Sequence, residues 1–298
     1  MFRILIPVDF SPSSDNACHY AMHLAAAHQQ AEIMLLHCFR DYLLEPELTD
    51  PFANTGRTPL SPGSEEVTDR VLHRNQTDEH KKLEELCTTL QAQAPGQQVQ
   101  LKSAFVNGIP EDAIPEQIDK YKPDLLVMGT KGEDDWVRSL FGTITTKMVD
   151  DATVPLLTVP EQYTRHGISR VLYATDFVKT DAQAIINLQQ LLQPFNTSIA
   201  CVHISSESSP ARDKQQLAQL QNELQAGTNA QHAQFILLEG DDVANALEEF
   251  ITRGQVQLIA VNNQQRSLLS SLLHPSLTKK LVLEVQVPVL VFHSPAKS

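Results

Sequence analysis

The stretch PDLLVMGTKGEDDWVRSLFGT, residues 123–143, decides the fold of this chain. Its apolar run, which ends at Met128, is too short to span a membrane and is typical of a strand buried on both faces of a parallel sheet. Gly129 follows at once, and Gly132 and Gly142 come after two and nine intervening residues. Glycines let a backbone approach a polyanion, and the free amides at a helix N-terminus point towards it. The stretch therefore predicts a strand, a phosphate loop and a helix.

The loop is neither a Walker A loop, since no Gly-Lys-Ser/Thr follows, nor a Rossmann Gly-x-Gly-x-x-Gly turn. Its spacing instead resembles the nucleotide motif of the universal stress protein family. Residues 4–11 (ILIPVDFS) resemble the first strand and adenine-side loop of that family, and residues 108–110 (GIP) precede a helix as they do there. The resemblance extends from end to end of the chain.

Composition limits the classes of function. At 298 residues, the chain is long enough for two domains. It has 23 basic and 36 acidic residues, a formal net charge of -13, which disfavours binding to nucleic acid or to an anionic membrane. Four cysteines without a CxxC spacing indicate reduced, buried thiols. With no signal peptide and no apolar run of roughly 20 residues, we expect a soluble cytoplasmic protein.

An internal repeat organises the chain. Residues 4–10 reappear as residues 171–177, an offset of 167, and His37 reappears as His203. From Gly129 onwards the offset is 133 without a gap. We therefore predict two copies of one α/β unit, a first half of residues 1–160 and a second half of residues 168–298, joined near residues 160–167.

Each copy alternates strands with helices, which predicts a parallel sheet with right-handed crossovers. The resemblance implies the strand order 3-2-1-4-5 of an adenine-nucleotide alpha-hydrolase-like fold, which reverses between strands one and four, where open α/β sheets bind ligands. The predicted strands are residues 2–8, 32–39, 98–106, 124–129 and 154–159, then 169–175, 197–204, 232–238, 257–262 and 287–293.

The two last strands are matched apolar segments at a sheet edge, and an unpaired apolar edge is an aggregation hazard. We expect them to pair antiparallel, so that the two halves share a continuous ten-stranded sheet. A homodimer is a further possibility that the sequence leaves open.

Helix boundaries follow from serines and prolines. Ser13 or Ser14 is the candidate cap of the first helix. Pro110 and Pro115 predict that the third helix starts late enough to keep both at or before its first turn, with Asp112 as its cap. Residues 41–63 are predicted to be a long loop, and residues 65–93 a charged helix.

The resemblance implies a site for ATP or another adenine nucleotide in the first half, with Mg²⁺ as a possible companion. Asp9 would accept hydrogen bonds from the ribose or base beside the bordering Pro7 and Val8, and Cys38 would offer its backbone to the adenine. Met128 and Gly129 would flank the ribose. The phosphates would be held by Gly132, Gly142, Thr143, Ile144 and Thr145.

The second half has lost this motif. At the offset of 133, Asn262, Gln265 and Pro275 replace the three glycines, and Ser276 replaces the threonine. Side chains now fill the space that backbone amides would need, and a proline has no amide. We expect no nucleotide in the second half, although Asp176 still matches Asp9.

The glycine loop is also unusually acidic. Glu133, Asp134 and Asp135 outnumber Lys131 and Arg138, and carboxylates repel a triphosphate unless a divalent cation intervenes. Three functions therefore stay open: an ATP-binding regulatory protein of the stress response, a nucleotide-free scaffold or small-ligand carrier, and a slow Mg²⁺-dependent ATPase. Because no general base is evident, we expect hydrolysis to be slow or absent.

Other chemistry-bearing residues are given structural roles. His19 and His23 stand one helical turn apart without a third converging ligand, so no metal site is predicted. His37 and His203 occupy equivalent strand positions, which favours a shared structural role. No catalytic residue is predicted, and Trp136 is either a partner contact or a packing anchor.

Overall fold

The computed structural model describes residues 1–39, 62–94, 98–130, 140–165, 167–206, 210–226, 233–240, 242–263 and 285–293. Strands and helices alternate along these ranges, as predicted. The strands are β1 (Phe2–Pro7), β2 (Ala31–Phe39), β3 (Val99–Asn107), β4 (Leu125–Thr130), β5 (Leu156–Pro160), β6 (Arg170–Ala174), β7 (Ser198–Ser205), β8 (Ala233–Glu239), β9 (Leu258–Asn263) and β10 (Val289–His293). The helices are α1 (Pro12–Ala26), α2 (Pro62–Gln93), α3 (Pro110–Tyr121), α4 (Leu140–Asp151), α5 (Asp181–Leu191), α6 (Pro210–Ala226) and α7 (Val243–Gly254).

The strands form one ten-stranded sheet in the order β3-β2-β1-β4-β5-β10-β9-β6-β7-β8. Each half thus has the order 3-2-1-4-5, and all pairs are parallel except the central one. There β5 and β10 run antiparallel, with Leu157 opposite Leu290. The predicted fold, including the pairing of the last strands, is confirmed.

Helices cover both faces of the sheet. The core on one face contains side chains of α1, α2, α5 and α6, and the core on the other contains side chains of α3, α4 and α7. Both cores include residues from the two halves, because the sheet continues through β5 and β10. Among the described residues, no helix is long and apolar enough to cross a membrane.

The cap of α1 differs from the prediction. Ser11, not Ser13 or Ser14, is the N-cap: its backbone is extended and its side chain accepts a hydrogen bond from the Ser14 amide. Pro12 then occupies the start of the helix, where its missing N–H costs nothing. Ser13 and Ser14 are consequently inside the first turn, and both are buried.

The prediction for α3 was also wrong. The helix starts at Pro110, its N-cap is Ile109 without a side-chain hydrogen bond, and Pro115 lies inside the helix. An internal proline removes one backbone hydrogen bond. The helix tolerates this loss because it buries an apolar face that includes Ile114 and Ile118. Asp112 is then an acidic residue of the first turn, which favours its interaction with the helix dipole.

Candidate functional site

A crevice opens between the carboxyl ends of β1 and β4. The ladder between these strands ends at Leu5 and Leu126. Beyond it, β1 stays paired with β2 as far as Pro7, and β4 stays paired with β5 as far as Thr130. Pro7 has no N–H to offer a neighbouring strand. The two strands therefore part where the strand order reverses, the usual ligand position in an open α/β sheet.

The corresponding strands of the second half stay together. Leu172 and Ile259 match the last ladder pair of the first half, but the ladder between β6 and β9 continues for two further pairs, to Ala174 and Val261. Ala174 stands where the first half has Pro7, and it retains the backbone donor that proline lacks. The second half thus closes the crevice that the first half leaves open.

Gly129 lies where the N-terminus of α1 meets β4. A Cβ atom at this position would be 2.2 Å from the carbonyl oxygen of Ser13 and 2.4 Å from its carbonyl carbon. No real Cβ approaches backbone atoms so closely, so any side chain would force α1 away from β4. The packing of α1 therefore requires this glycine, independently of any ligand.

Asp9 lies at the mouth of the crevice and is half-buried. Its Oδ1 atom accepts hydrogen bonds from the backbone amide of Ser11, at 3.0 Å, and from the Ser11 hydroxyl. The carboxylate thus orders the turn into α1. All the hydrogen bonds that Asp9 makes to described residues use Oδ1, so Oδ2 keeps its capacity to accept from a ligand hydroxyl.

The neighbouring residue, Phe10, has a left-handed backbone with φ of 61°. Such a conformation is uncommon for a bulky residue and costs roughly 1–2 kcal/mol. Its ring lies 4.5 Å from the ring of His37, whose Nδ1 is 2.8 Å from the carbonyl oxygen of Val8 and whose Nε2 is 3.1 Å from Glu79 Oε2. These contacts connect the turn after β1 to β2 and α2.

The second half repeats this arrangement. Phe177 has φ of 57°, its ring lies 4.1 Å from that of His203, and His203 Nδ1 is 2.8 Å from the carbonyl oxygen of Thr175. The acidic residue beyond the ring is Asp213. Because the half with the closed crevice retains the contacts, the two histidines hold the fold, as their equivalent positions predict.

The sequence profile of the universal stress protein family matches residues 1–160 and again residues 167–293. The chain belongs to the universal stress protein family. A universal stress protein of Methanocaldococcus jannaschii is 27% identical over 157 residues, which are 53% of this chain and 81% of that protein.

Solved universal stress proteins show the same tandem fold. One from Archaeoglobus fulgidus has a TM-score of 0.70 at 16% identity, covering 98% of both chains. A putative universal stress protein from Pseudomonas aeruginosa has a TM-score of 0.57 at 14% identity, covering 98% of this chain and 92% of that one. At these identities, the likeness concerns the fold.

Within this universal stress protein, buried polar groups fill the second half at the position of the crevice. The carboxylate of Asp181 accepts hydrogen bonds from the Tyr173 hydroxyl at 2.8 Å, the Thr175 hydroxyl at 2.6 Å and the Val178 amide at 3.1 Å. Asn262, which replaces the strand-end glycine of the first half, donates to the same carboxylate at 3.2 Å. Burial raises the pKa of Asp181, and the four donors oppose that rise.

Sequence reasoning missed this network. Its signal is a pair of exchanges at matched positions: Tyr173 replaces the apolar Ile6, and the carboxylate of Asp181 replaces the hydroxyl of Ser14. The network occupies the space between the end of β9 and the start of α5. The change from glycine to Asn262 therefore adds a side chain that bonds within this space. This side chain, which also donates to Thr180, holds the N-terminus of α5 in place.

Replacing Asp181 with alanine should destabilise the second half by about 3 kcal/mol, because buried hydroxyl and amide donors would lose their common acceptor. Urea unfolding followed by circular dichroism would measure the loss. The matched control is Ser14→Ala in the first half, where the side chain donates to the Ser11 carbonyl and to no other described residue, and where a loss of about 1 kcal/mol is expected. Equal losses of stability for the two variants would contradict the assignment of Asp181 as the common acceptor of the buried network.

The other predicted binding residues that the structure describes differ in burial. Val8 and Met128 are buried, and Cys38 at the end of β2 is half-buried. Gly132 lies outside the described residues. Gly142 and Thr143 are in the first turn of α4, where only the backbone is described, and the buried Ile144 and Thr145 follow. Thr145 Oγ1 has no hydrogen-bond partner in the part of the chain that the structure describes.

The histidines and cysteines of the described residues show neither a metal-ligand cluster nor an activated thiol. No cluster of three metal-binding side chains occurs among the described residues. His19 lies 3.7 Å from Asp15, whereas the ring of His23 lies against Phe195. All four cysteines are free thiols, and burial raises the pKa of Cys38 to about 11 and that of Cys201 to about 12. Both thiols are therefore protonated at neutral pH and are poor nucleophiles.

Proposed function

We propose that the first half binds an adenine nucleotide, ATP foremost, in the crevice between β1 and β4. The observation that carries the proposal is the early end of the ladder at Leu5 and Leu126. The equivalent ladder in the second half runs on for two further pairs. The chain would then act as a cytoplasmic regulatory protein of the stress response, with one nucleotide site for its two copies of the fold.

The residues around the crevice fit the two ends of a nucleotide. At the adenosine end, Asp9 Oδ2 can accept from a ribose hydroxyl, with Pro7, Val8 and Cys38 beside it. At the phosphate end, the first turn of α4 contains Gly142 and Thr143, and the amides of a first turn carry partial positive charge. The unpartnered, buried hydroxyl of Thr145 marks a polar group that a movement of α4 on binding could satisfy.

No residue is assigned a catalytic role, and Mg²⁺ would bind beside the phosphates. A divalent cation would offset the negative charge of residues 133–135, which lie outside the described ranges. Gly132 would serve the phosphates through its amide, and Met128 and Gly129 would line the ribose side of the crevice.

One observation favours a second candidate, a nucleotide-free scaffold or carrier. The packing of α1 fully explains why residue 129 is a glycine, so Gly129 by itself is not evidence for a bound nucleotide. The same fold could then retain the glycine after losing its ligand. Binding measurements on ligand-free protein separate the two functions.

The test is calorimetric titration of ligand-free protein with ATP and Mg²⁺. Replacing Asp9 with alanine should weaken binding by about tenfold or more, because a hydrogen bond to a charged group contributes about 1.5–3 kcal/mol. The matched control is Asp176→Ala in the second half, which should bind as the unchanged protein does. No heat with the unchanged protein would overturn the proposal, and equal weakening by both variants would place the nucleotide elsewhere.

A further inference from the structure

The C-terminal end of α4 is held by two side chains of the second half. Asn263, at the end of β9, donates from Nδ2 to the carbonyl oxygen of Val149 at 2.5 Å. His293, at the end of β10, has Nε2 3.0 Å from the same oxygen and Nδ1 3.0 Å from the carbonyl oxygen of Val154. Both side chains therefore contact the segment in which α4 ends.

These contacts satisfy acceptors that a helix cannot satisfy itself. The last four carbonyl groups of an α-helix have no intrahelical partner, and α4 ends at Asp151. The amide of Ala152 still donates to Met148, which leaves Val149 as the next acceptor in line. A neutral imidazole donates to one of the two carbonyl groups according to its tautomer: to Val149 in the last turn of α4, or to Val154 in the segment that follows the helix.

The histidine of this contact has no counterpart in the first half. At the offset of 133, Asn263 corresponds to Thr130 and His293 to Pro160. A proline side chain offers no hydrogen-bond donor, so the first half has no counterpart of the histidine contact. The half with the closed crevice thus supplies side chains for a helix of the half with the open one.

The opposite end of this helix lies at the proposed phosphate position. α4 has 12 residues and is therefore about 18 Å long, with Gly142 and Thr143 in its first turn. Ile144 and Thr145 are buried nearer its middle, and Met148 and Val149 in its last turn, so close packing along the helix couples a displacement of one end to the other. A shift at its C-terminal end would change the position of its N-terminal amides.

We infer that the second half positions α4, and with it the phosphate end of the site in the first half, through Asn263 and His293. This inference rests on the proposed nucleotide site. The second half, whose crevice is closed, would then serve to position a helix of the first half. Because coupling between two sites is reciprocal, a nucleotide that contacts the N-terminus of α4 also stabilises the contacts at its C-terminus.

The experiment uses the full chain with the Asn263→Ala and His293→Ala changes combined. We expect affinity for ATP with Mg²⁺ to fall about fivefold or more, within the usual range of coupling between sites. Hydrogen exchange of the α4 amides should become faster in the absence of nucleotide. A His293→Gln protein with Asn263 intact keeps a donor near the position of Nε2. Its affinity for ATP and the exchange of its α4 amides should therefore stay close to those of the unchanged protein.

The matched control is Asn245→Ala in α7, which removes the same side-chain amide. Within the described ranges, Asn245 bonds only to Asp242 of its own half, so this change should leave both affinity and α4 exchange as they are. Unchanged affinity and unchanged α4 exchange in the double variant would overturn the inference. If the unchanged protein binds no ATP, the proposed function fails, and exchange alone decides: faster exchange of α4 supports the positioning role and unchanged exchange overturns it.

Discussion

A Gly129→Ala variant is expected to lose about 3 kcal/mol of folding free energy, the upper part of the range for overpacked cores. The reason is local: the new Cβ would lie 2.2 Å from the Ser13 carbonyl oxygen, and a helix backbone cannot yield as the end of a side chain can. α1 would have to move away from β4. Thermal unfolding followed by circular dichroism should show a midpoint lower by roughly 6–12 °C.

The matched control is Gly240→Ala, where the nearest atom to a new Cβ is 3.8 Å away, an ordinary contact. This variant should unfold close to the midpoint of the unchanged protein. A Gly129→Ala protein as stable as the control would mean that α1 does not approach β4 as closely as the structure shows.

The second large effect is expected at the centre of the sheet. Leu157 and Leu290 are buried and directly opposite each other in the antiparallel pair of β5 and β10. Changing both to aspartate would bury two like charges face to face, at a cost of about 5 kcal/mol or more. We expect the halves to separate or the protein to precipitate. Small-angle scattering would detect separation as an increased radius of gyration.

The control for this double variant places the same charges on the outer strands. Gln100 in β3 and Gln234 in β8 are exposed strand residues, and changing both to aspartate should leave the shape of the molecule unchanged. A compact, fully soluble Leu157→Asp/Leu290→Asp protein would contradict the pairing of the two last strands.

Most of the fold could be predicted from the sequence because its strongest signals are periodic and repeated. The bounds of all ten strands lie within two residues of those predicted. The apolar segments at 154–159 and 287–292 also predicted the central antiparallel pair, since each would otherwise leave an apolar edge unpaired. Patterns of this kind depend on many residues at once, so single exceptions do not obscure them.

Single-residue features were less predictable, since tertiary contacts decide them. Ser11 rather than Ser13 or Ser14 caps α1, because Pro12 takes the first helical position. Pro115 is inside α3, where the buried apolar face of the helix compensates for the missing hydrogen bond. No local signal in the sequence marks Ser11 rather than Ser13 or Ser14 as the cap. Nor does any local signal outweigh the general preference of proline for the first turn of a helix, which argues against Pro115 in a helix interior.

In the candidate site too, the repeated pattern was predictable and the individual side-chain contacts were not. The repeat revealed that the second half had lost its glycines, but it could not show that Asp181 and Asn262 form a buried network there. Nor could spacing show that Asn263 and His293 reach α4, since that contact joins residues more than a hundred positions apart. The predicted binding residues remain predictions.

The central claim is that one half of this chain binds an adenine nucleotide and the other does not. Native mass spectrometry of ligand-free protein, titrated with ATP and Mg²⁺, counts the nucleotides bound to each chain. The account predicts one ATP per chain at saturation, reached at about tenfold or more higher ATP in Asp9→Ala and at the unchanged concentration in Asp176→Ala. Two nucleotides per chain, or none, would contradict it.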